Sequence, residues 1–176
     1  MTLYLMRHAE AVPLDAGGAA RDADRRLTEK GLRQAHRMGR LLKRMEVKFD
    51  RVCASPFARA QETAEEVLNV LGASVKIRTL DELKPSASAD DMWEAILATS
   101  GEKVLVVGHM PSLGDLAAAL LDCHAEQPLW FHKSTIAAFY REAREGRKPR
   151  FQLEWMAAPG MAKRLSARED SGKASD

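Results

Sequence analysis

Apolar and polar positions along the chain follow two alternating periods. Short apolar runs predict strands at Thr2–Arg7 (TLYLMR), Arg51–Ser55 (RVCAS), Val75–Arg78 (VKIR) and Lys103–His109 (KVLVVGH). Between them, a period of three to four predicts helices. From Thr28 to Met45, residues Leu32, Ala35, Met38, Leu42 and Met45 form one apolar stripe, with Thr28 as N-cap and Glu29 in the first turn. From Ser55 to Gly72 the stripe is Ala60, Thr63, Ala64, Val67, Leu68 and Leu71, with Ser55 as N-cap, Pro56 at the first helical position and Gly72 just past the end. Further helices are expected from Ala89 to Thr99 and from Pro111 to Leu121.

Strands alternating with helices predict a three-layer α/β/α fold around a mainly parallel sheet. The last two strands, Thr135–Arg141 and Phe151–Met156, follow each other with no helix between. They read as a hairpin turning at EGRKP, which adds an antiparallel edge strand. The segment AVPLDAGGAARDADRR, ahead of the first helix, reads as a polar loop. A chain of 176 residues is expected to form one domain, here 1–159, followed by a polar tail over 160–176. No internal repeat is visible.

Composition adds mainly exclusions. Lys and Arg total 27 against 25 Asp and Glu, so net charge offers no argument for nucleic acid or a membrane surface. No apolar run reaches the roughly 18 residues that span a bilayer, and the N-terminus shows no signal-peptide pattern. Two cysteines, Cys53 and Cys123, make neither a disulfide framework nor a metal spacing, which fits reduced thiols in the cytoplasm.

The chemistry gathers at strand ends. In a parallel α/β sheet, ligands bind at the carboxyl edge. Three strands end there in polar residues: Arg7-His8, Ser55 with Arg59 beyond it, and Gly108-His109. Two guanidiniums, two imidazoles and a helix N-terminus on one rim suit an anion, and arginine forks match phosphate oxygens bidentately. Taken singly, each has an ordinary structural explanation: a strand-end charge for Arg7, a core imidazole for His8, a solvated helix residue for Arg59, a helix-capping role for His109.

Together, LMRHAEA, SPFARAQETA and VVGHMP resemble the histidine phosphatase superfamily, the phosphoglycerate mutase-like enzymes, and within it the short SixA-type phosphohistidine phosphatases. The similarity runs from about Thr2 to Met156, with the motifs in family order. The resemblance implies a phosphoglycerate mutase-like fold and a hydrolase in which His8 is the nucleophile that becomes phosphorylated. Arg7, Arg59 and His109 then form the phosphate pocket, Ser55 is a further contact, and Glu82 in LDELKP stands where the family often has its general acid. Asp81 and Glu82 are equally readable as solvated loop carboxylates. One departure is Ala9, where the family's commonest form has glycine; alanine requires an ordinary turn after the nucleophile.

These residue types fit phosphoryl transfer, which needs an in-line nucleophile and cations around the equatorial oxygens. His109 is expected to be protonated once phosphate is bound. No metal or other cofactor is expected, and the five histidines show no ligand spacing. Few residues separate Glu82 from the helix at Ala89, so no cap subdomain is expected, leaving the loop Val12–Arg26 as the lid. An open rim favours phosphohistidine on a partner protein as substrate; a small phosphoester, or a silent phosphoprotein-binding module, remains open. CASPFAR has the Cys-x5-Arg spacing of a cysteine phosphatase, but Pro56 lacks an N–H for the anion cradle and Cys53 lies in an apolar run that raises a thiol's pKa. In PLWFHKS, Trp130 and Phe131 are expected to pack the last strand onto a helix rather than to recognise a partner.

Overall fold

A computed structural model of the chain describes residues 1–14, 19–123, 129–142 and 150–164. Six strands form one sheet: β1 (Thr2–Arg7), β2 (Arg51–Ala54), β3 (Ile77–Thr79), β4 (Lys103–Gly108), β5 (Ile136–Glu142) and β6 (Arg150–Ala157). Their order across the sheet is β3-β2-β4-β1-β5-β6. β1, β2, β3 and β4 run parallel, and β5 is antiparallel to both β1 and β6. The expected hairpin is present, with its antiparallel strand one position in from the margin. Its turn at EGRKP lies outside the described residues.

Four helices cover the faces: α1 (Glu29–Arg44), α2 (Ala58–Leu71), α3 (Ala89–Leu97) and α4 (Ser112–Leu120). The pleat divides the strands between two apolar layers, because successive side chains point to opposite faces. Tyr4, Met6, Val52, Ala54, Leu105 and Val107 pack with Met38, Leu42, Ala64 and Val67 of α1 and α2. Leu3, Leu5, Cys53, Val104 and Val106 pack with Met92 and Ile96 of α3 and Leu113 and Leu116 of α4. Strands covered on both faces read as continuous apolar runs, which is why β1 and β4 stand out in the chain.

Local details depart from the expected pattern in instructive ways. Thr28 caps α1 as anticipated, its side chain accepting from the Gly31 N–H at 2.9 Å. The face α1 buries, however, is Gly31, Ala35, Met38, Gly39 and Leu42, while Leu32 and Met45 are exposed. The two glycines let α1 approach closely: a Cβ on Gly31 would stand 2.0 Å from the Glu10 carbonyl oxygen, and one on Gly39 2.8 Å from Cβ of Val70. Helix α2 begins two residues later than expected, with Phe57 as N-cap, so Ser55 and Pro56 belong to the preceding turn. Gly72 ends α2 at φ 66°, the left-handed conformation glycine adopts without cost.

The chain is also helical over 159–164, with Ala162 buried against the α1–α2 layer. The first residues of the expected tail are therefore part of the folded body; residues 165–176 lie outside the described residues. No helix of the described residues is long and apolar enough to cross a membrane.

Candidate active site

The parallel register sets the site. Arg7 pairs with Gly108, so His8 and His109 follow side by side as β1 and β4 end, and Ala54 pairs with Val107, which puts Ser55 on the same rim. The His8 N–H donates to the Gly108 carbonyl at 3.0 Å, and the Ser55 N–H to the Val107 carbonyl at 3.0 Å, so the pairing runs one step past the strands. Arg7, His8, Ser55, Arg59 and His109 thus converge from three strand ends and the first turn of α2.

His8 is 7% exposed and its ring is held at both nitrogens. Nδ1 lies 2.7 Å from the Ala9 carbonyl oxygen, which can only accept, so Nδ1 carries the proton. Nε2 is then a bare acceptor, and Arg59 donates its Nε–H to it at 3.3 Å. Burial, together with the charges of Arg59, Arg7 and Lys133, pushes the imidazole down to about 3 against the Ala9 bond. At neutral pH the ring is uncharged, with its Nε2 lone pair directed at a guanidinium.

The turn after His8 is ordinary, as alanine requires: Ala9 is not among the residues at positive φ. Its N–H donates to Oγ1 of Thr63 at 3.0 Å, and that hydroxyl donates to the Arg59 carbonyl at 2.6 Å. Thr63 therefore ties the turn after His8 to the helix carrying Arg59. The Ala9 methyl is buried with Leu27 and Ala35, so the departure from glycine is filled by packing.

His109 is 2% exposed, 5.0 Å from His8 between ring centroids, and burial with the neighbouring His8 and Arg59 pushes it down to about 2. In this state it is neutral; the expectation of a protonated His109 concerned the phosphate-bound state. Its Nε2 meets Oγ of Ser55 at 2.8 Å, and the Phe57 N–H also points at that oxygen, 3.4 Å away. That hydroxyl can accept from Phe57 and donate to Nε2 at once, an arrangement in which the His109 proton stands on Nδ1. That buried nitrogen has no partner among the described residues, and neither have Nε of Arg7 or the hydroxyls of Ser134 and Thr135. Buried polar groups without partners are costly, and Arg7 and His109 direct theirs from the strand ends.

The two arginines are unequally paired. Arg59, 5% exposed, donates through Nη1 to the Asp22 carbonyl at 2.6 Å and through Nη2 to its carboxylate at 3.0 Å. Arg7 donates through Nη1 to the Phe131 carbonyl at 2.8 Å and has no carboxylate partner among the described residues. Burial lowers both guanidiniums, but arginine stays charged in proteins. Arg7 is thus a half-buried cation with no acid beside it among the described residues, an arrangement that favours an anion nearby. Asp22, held below its usual range by Arg25 and Arg59 against the effect of burial, sits in a short 3-10 helix, Asp22–Asp24, within the expected lid. The two ends of that loop are joined: the Val12 N–H donates to the Arg26 carbonyl at 3.0 Å, and Arg26 pairs with Glu62. Asp22 and Thr63 were not among the sequence-based candidates.

Glu82 is not joined to this cluster. It is exposed, lies in a 3-10 helix over Asp81–Leu83, and among the described residues no hydrogen bond or ion pair links it to Arg7, His8, Arg59 or His109. It lines an open groove of about 490 Å³ with Asp81, Asp91 and Glu94. Cys53 is buried with a raised pKa, so it is no activated thiolate. Trp130 is 58% exposed, whereas Phe131 is fully buried; of the pair expected to pack, only Phe131 does. Among the described residues, no group of three or more His, Cys, Asp or Glu could hold a metal ion.

The chain is similar to known proteins in sequence and in fold. The family model for the histidine phosphatase superfamily (branch 1) matches residues 3–85. The phosphohistidine phosphatase SixA of Escherichia coli K12 is 37% identical over 141 residues, covering 78% of this chain and 84% of that protein. A SixA homolog of Haemophilus influenzae is 31% identical, covering 78% and 86%. A solved structure of the protein histidine phosphatase SixA complexed with tungstate superposes with a TM-score of 0.76 at 32% identity, over 91% of this chain and 98% of that one. At this identity and coverage, and with this structural likeness, the chain belongs to the histidine phosphatase superfamily, as a SixA-like hydrolase.

Proposed function

We propose that this chain removes phosphate from phosphohistidine on a partner protein, in two transfers through His8 and without a metal. The observation that carries this reading is the state of His8: neutral, its Nδ1 proton given to Ala9, its Nε2 lone pair beside Arg59. In the first transfer the Nε2 lone pair forms a bond to phosphorus. The bond from phosphorus to the substrate's ring nitrogen breaks, and its electrons stay on that nitrogen, which takes a proton. In the second, water attacks phospho-His8; the P–N electrons return to Nε2 and the water gives up a proton as inorganic phosphate leaves. Arg7, Arg59 and the Nδ1–H of His109 serve the equatorial oxygens, with Ser55 holding His109 in the donor tautomer. Guanidiniums supply the electrostatic stabilisation that a metal supplies elsewhere.

An open rim supports a protein-borne substrate: only residues 84–88 separate the Asp81–Leu83 turn from α3, too few for a cap. The relative named as a phosphohistidine phosphatase supports the substrate class. Free Cys53 and Cys123 suit a reducing cytoplasm. Glu82 serves as proton donor where the leaving group is poor.

The test is to incubate the protein with a phosphorylated histidine phosphotransfer domain and trap labelled enzyme in acid-free conditions. Wild type is expected to release phosphate and carry label at His8. His8→Ala is expected to lose label and at least about a thousandfold in turnover. Hydrolysis by His8→Ala at the parent rate would overturn the mechanism, and hydrolysis confined to small phosphoesters the substrate. Glu82→Gln is expected to slow an alkyl phosphate by about a hundredfold and leave phosphohistidine nearly untouched.

A further inference from the structure

Each pocket arginine lies against an aromatic ring. The guanidinium carbon of Arg59 is 4.8 Å from the Phe57 ring centroid, and that of Arg7 is 6.0 Å from the Trp130 ring. The rings differ in what else they touch. Phe57 is half-buried and turns its edge to His109 at 5.2 Å between centroids. Trp130 leaves 58% of its surface open at the rim.

An exposed tryptophan alone means little, but this one is built in place. Phe131, next in the chain, is fully buried, and its carbonyl accepts from Arg7 at 2.8 Å. The Ser134 N–H donates to the Arg7 and His8 carbonyls, at 3.2 Å each, and the Arg7 N–H donates to the Thr135 carbonyl at 3.0 Å. The segment carrying the indole is thus hydrogen-bonded to the nucleophile's own strand. Nothing in the core asks for a large ring at position 130, since the packing is done by Phe131.

We propose that Trp130 is a specificity-determining residue that takes the ring bearing the phosphoryl group, the imidazole of a phosphohistidine side chain, against its exposed face. This inference rests on the function proposed above and names the feature of the substrate that the site reads. A phosphoryl group held by Arg7 and Arg59 brings whatever carries it to the rim beside Arg7. An imidazole offers a flat face to the indole, and while it carries the phosphoryl group on one nitrogen and a proton on the other it is a cation, which leaves as neutral imidazole when the P–N bond breaks. Tryptophan is the strongest neutral side-chain partner for such a cation. An aliphatic phosphoester offers neither the plane nor the charge.

The test compares N-phosphoimidazole with phosphoramidate, which shares the P–N bond but has no ring. Trp130→Ala is expected to lower kcat/KM for N-phosphoimidazole by about tenfold and change that for phosphoramidate by less than about twofold. Trp130→Phe is expected to recover most of the loss. An equal fall on both substrates, which a structural role would give, or a fall on neither, overturns the assignment. If instead the wild-type protein hydrolyses phosphoramidate or an alkyl phosphate but not N-phosphoimidazole, the phosphohistidine reading itself has failed, and the assignment with it.

Discussion

Arg59 donates its Nε–H to Nε2 of His8, a bond that exists only while that nitrogen holds a lone pair. The contact reports a tautomer as well as a distance. With Nδ1–H on the Ala9 carbonyl, one arrangement of the ring satisfies both neighbours. Nitrogen-15 NMR of the free protein is expected to show His8 as the Nδ1–H tautomer, with no titration between pH 8 and pH 5. A midpoint near the ordinary 6.5 would mean that burial does not keep the ring neutral.

The same burial costs stability in acid. In the unfolded chain both imidazoles take up protons near pH 6.5, whereas in the folded protein His8 is held down at about 3 and His109 at about 2. Between those limits the unfolded state binds more protons. Stability is therefore full above pH 6.5 and is lost as pH falls towards the folded values. Each ring adds up to about 1.4 kcal/mol per pH unit to that slope. Urea denaturation from pH 7 to pH 4 measures it, and His109→Gln is expected to flatten it by about half.

Asp22 already occupies the outer fork of Arg59. An incoming oxyanion must share that guanidinium with a carboxylate that is 46% exposed. A pair open to water on one side is worth up to about 1 kcal/mol. Asp22→Asn is expected to tighten inorganic phosphate or tungstate binding by about three- to fivefold, read by calorimetry at low salt. Weaker binding would show that Asp22 orients Arg59 more than it competes for it.

Gly31 is the closest approach between α1 and the strand end. Alanine there would gain helix propensity, but its Cβ would meet the Glu10 carbonyl oxygen at 2.0 Å, a backbone atom that cannot step aside. Glu10 is also fixed by the Thr28 N–H at 3.0 Å and by Gln34, which accepts its N–H at 3.0 Å. Gly31→Ala is expected to lower stability by about 2 kcal/mol and turnover with it, measured by thermal denaturation and a phosphatase assay. Gly72→Ala, with open space around it, is the control for backbone strain alone.

What could be read from the chain, and what could not, follows from range. Arg7-His8, Ser55 and Gly108-His109 were legible because strand ends are local events and parallel pairing brings such ends to one rim. Glycine burial on α1 was not: a residue without a side chain carries no hydrophobic signal, so the apolar period points to Leu32 and Met45 although Gly31 and Gly39 lie on the inner face. The α2 start moved from Pro56 to Ala58 because Ser55 is engaged with His109. Asp22 and Trp130 reach the site through the path of loops, which no period in the sequence encodes.

β1 has a neighbour on each side, β4 and β5, and His8 is its first residue beyond the last hydrogen-bonded pair. The amide of Arg7 is held from one flank by Thr135 and that of His8 from the other by Gly108. The backbone that carries His8 is anchored in the interior of the sheet, where amides are expected to exchange slowest. On warming, hydrolysis should persist until the whole domain unravels, so a heat-inactivation curve and a global unfolding curve would fall on one another.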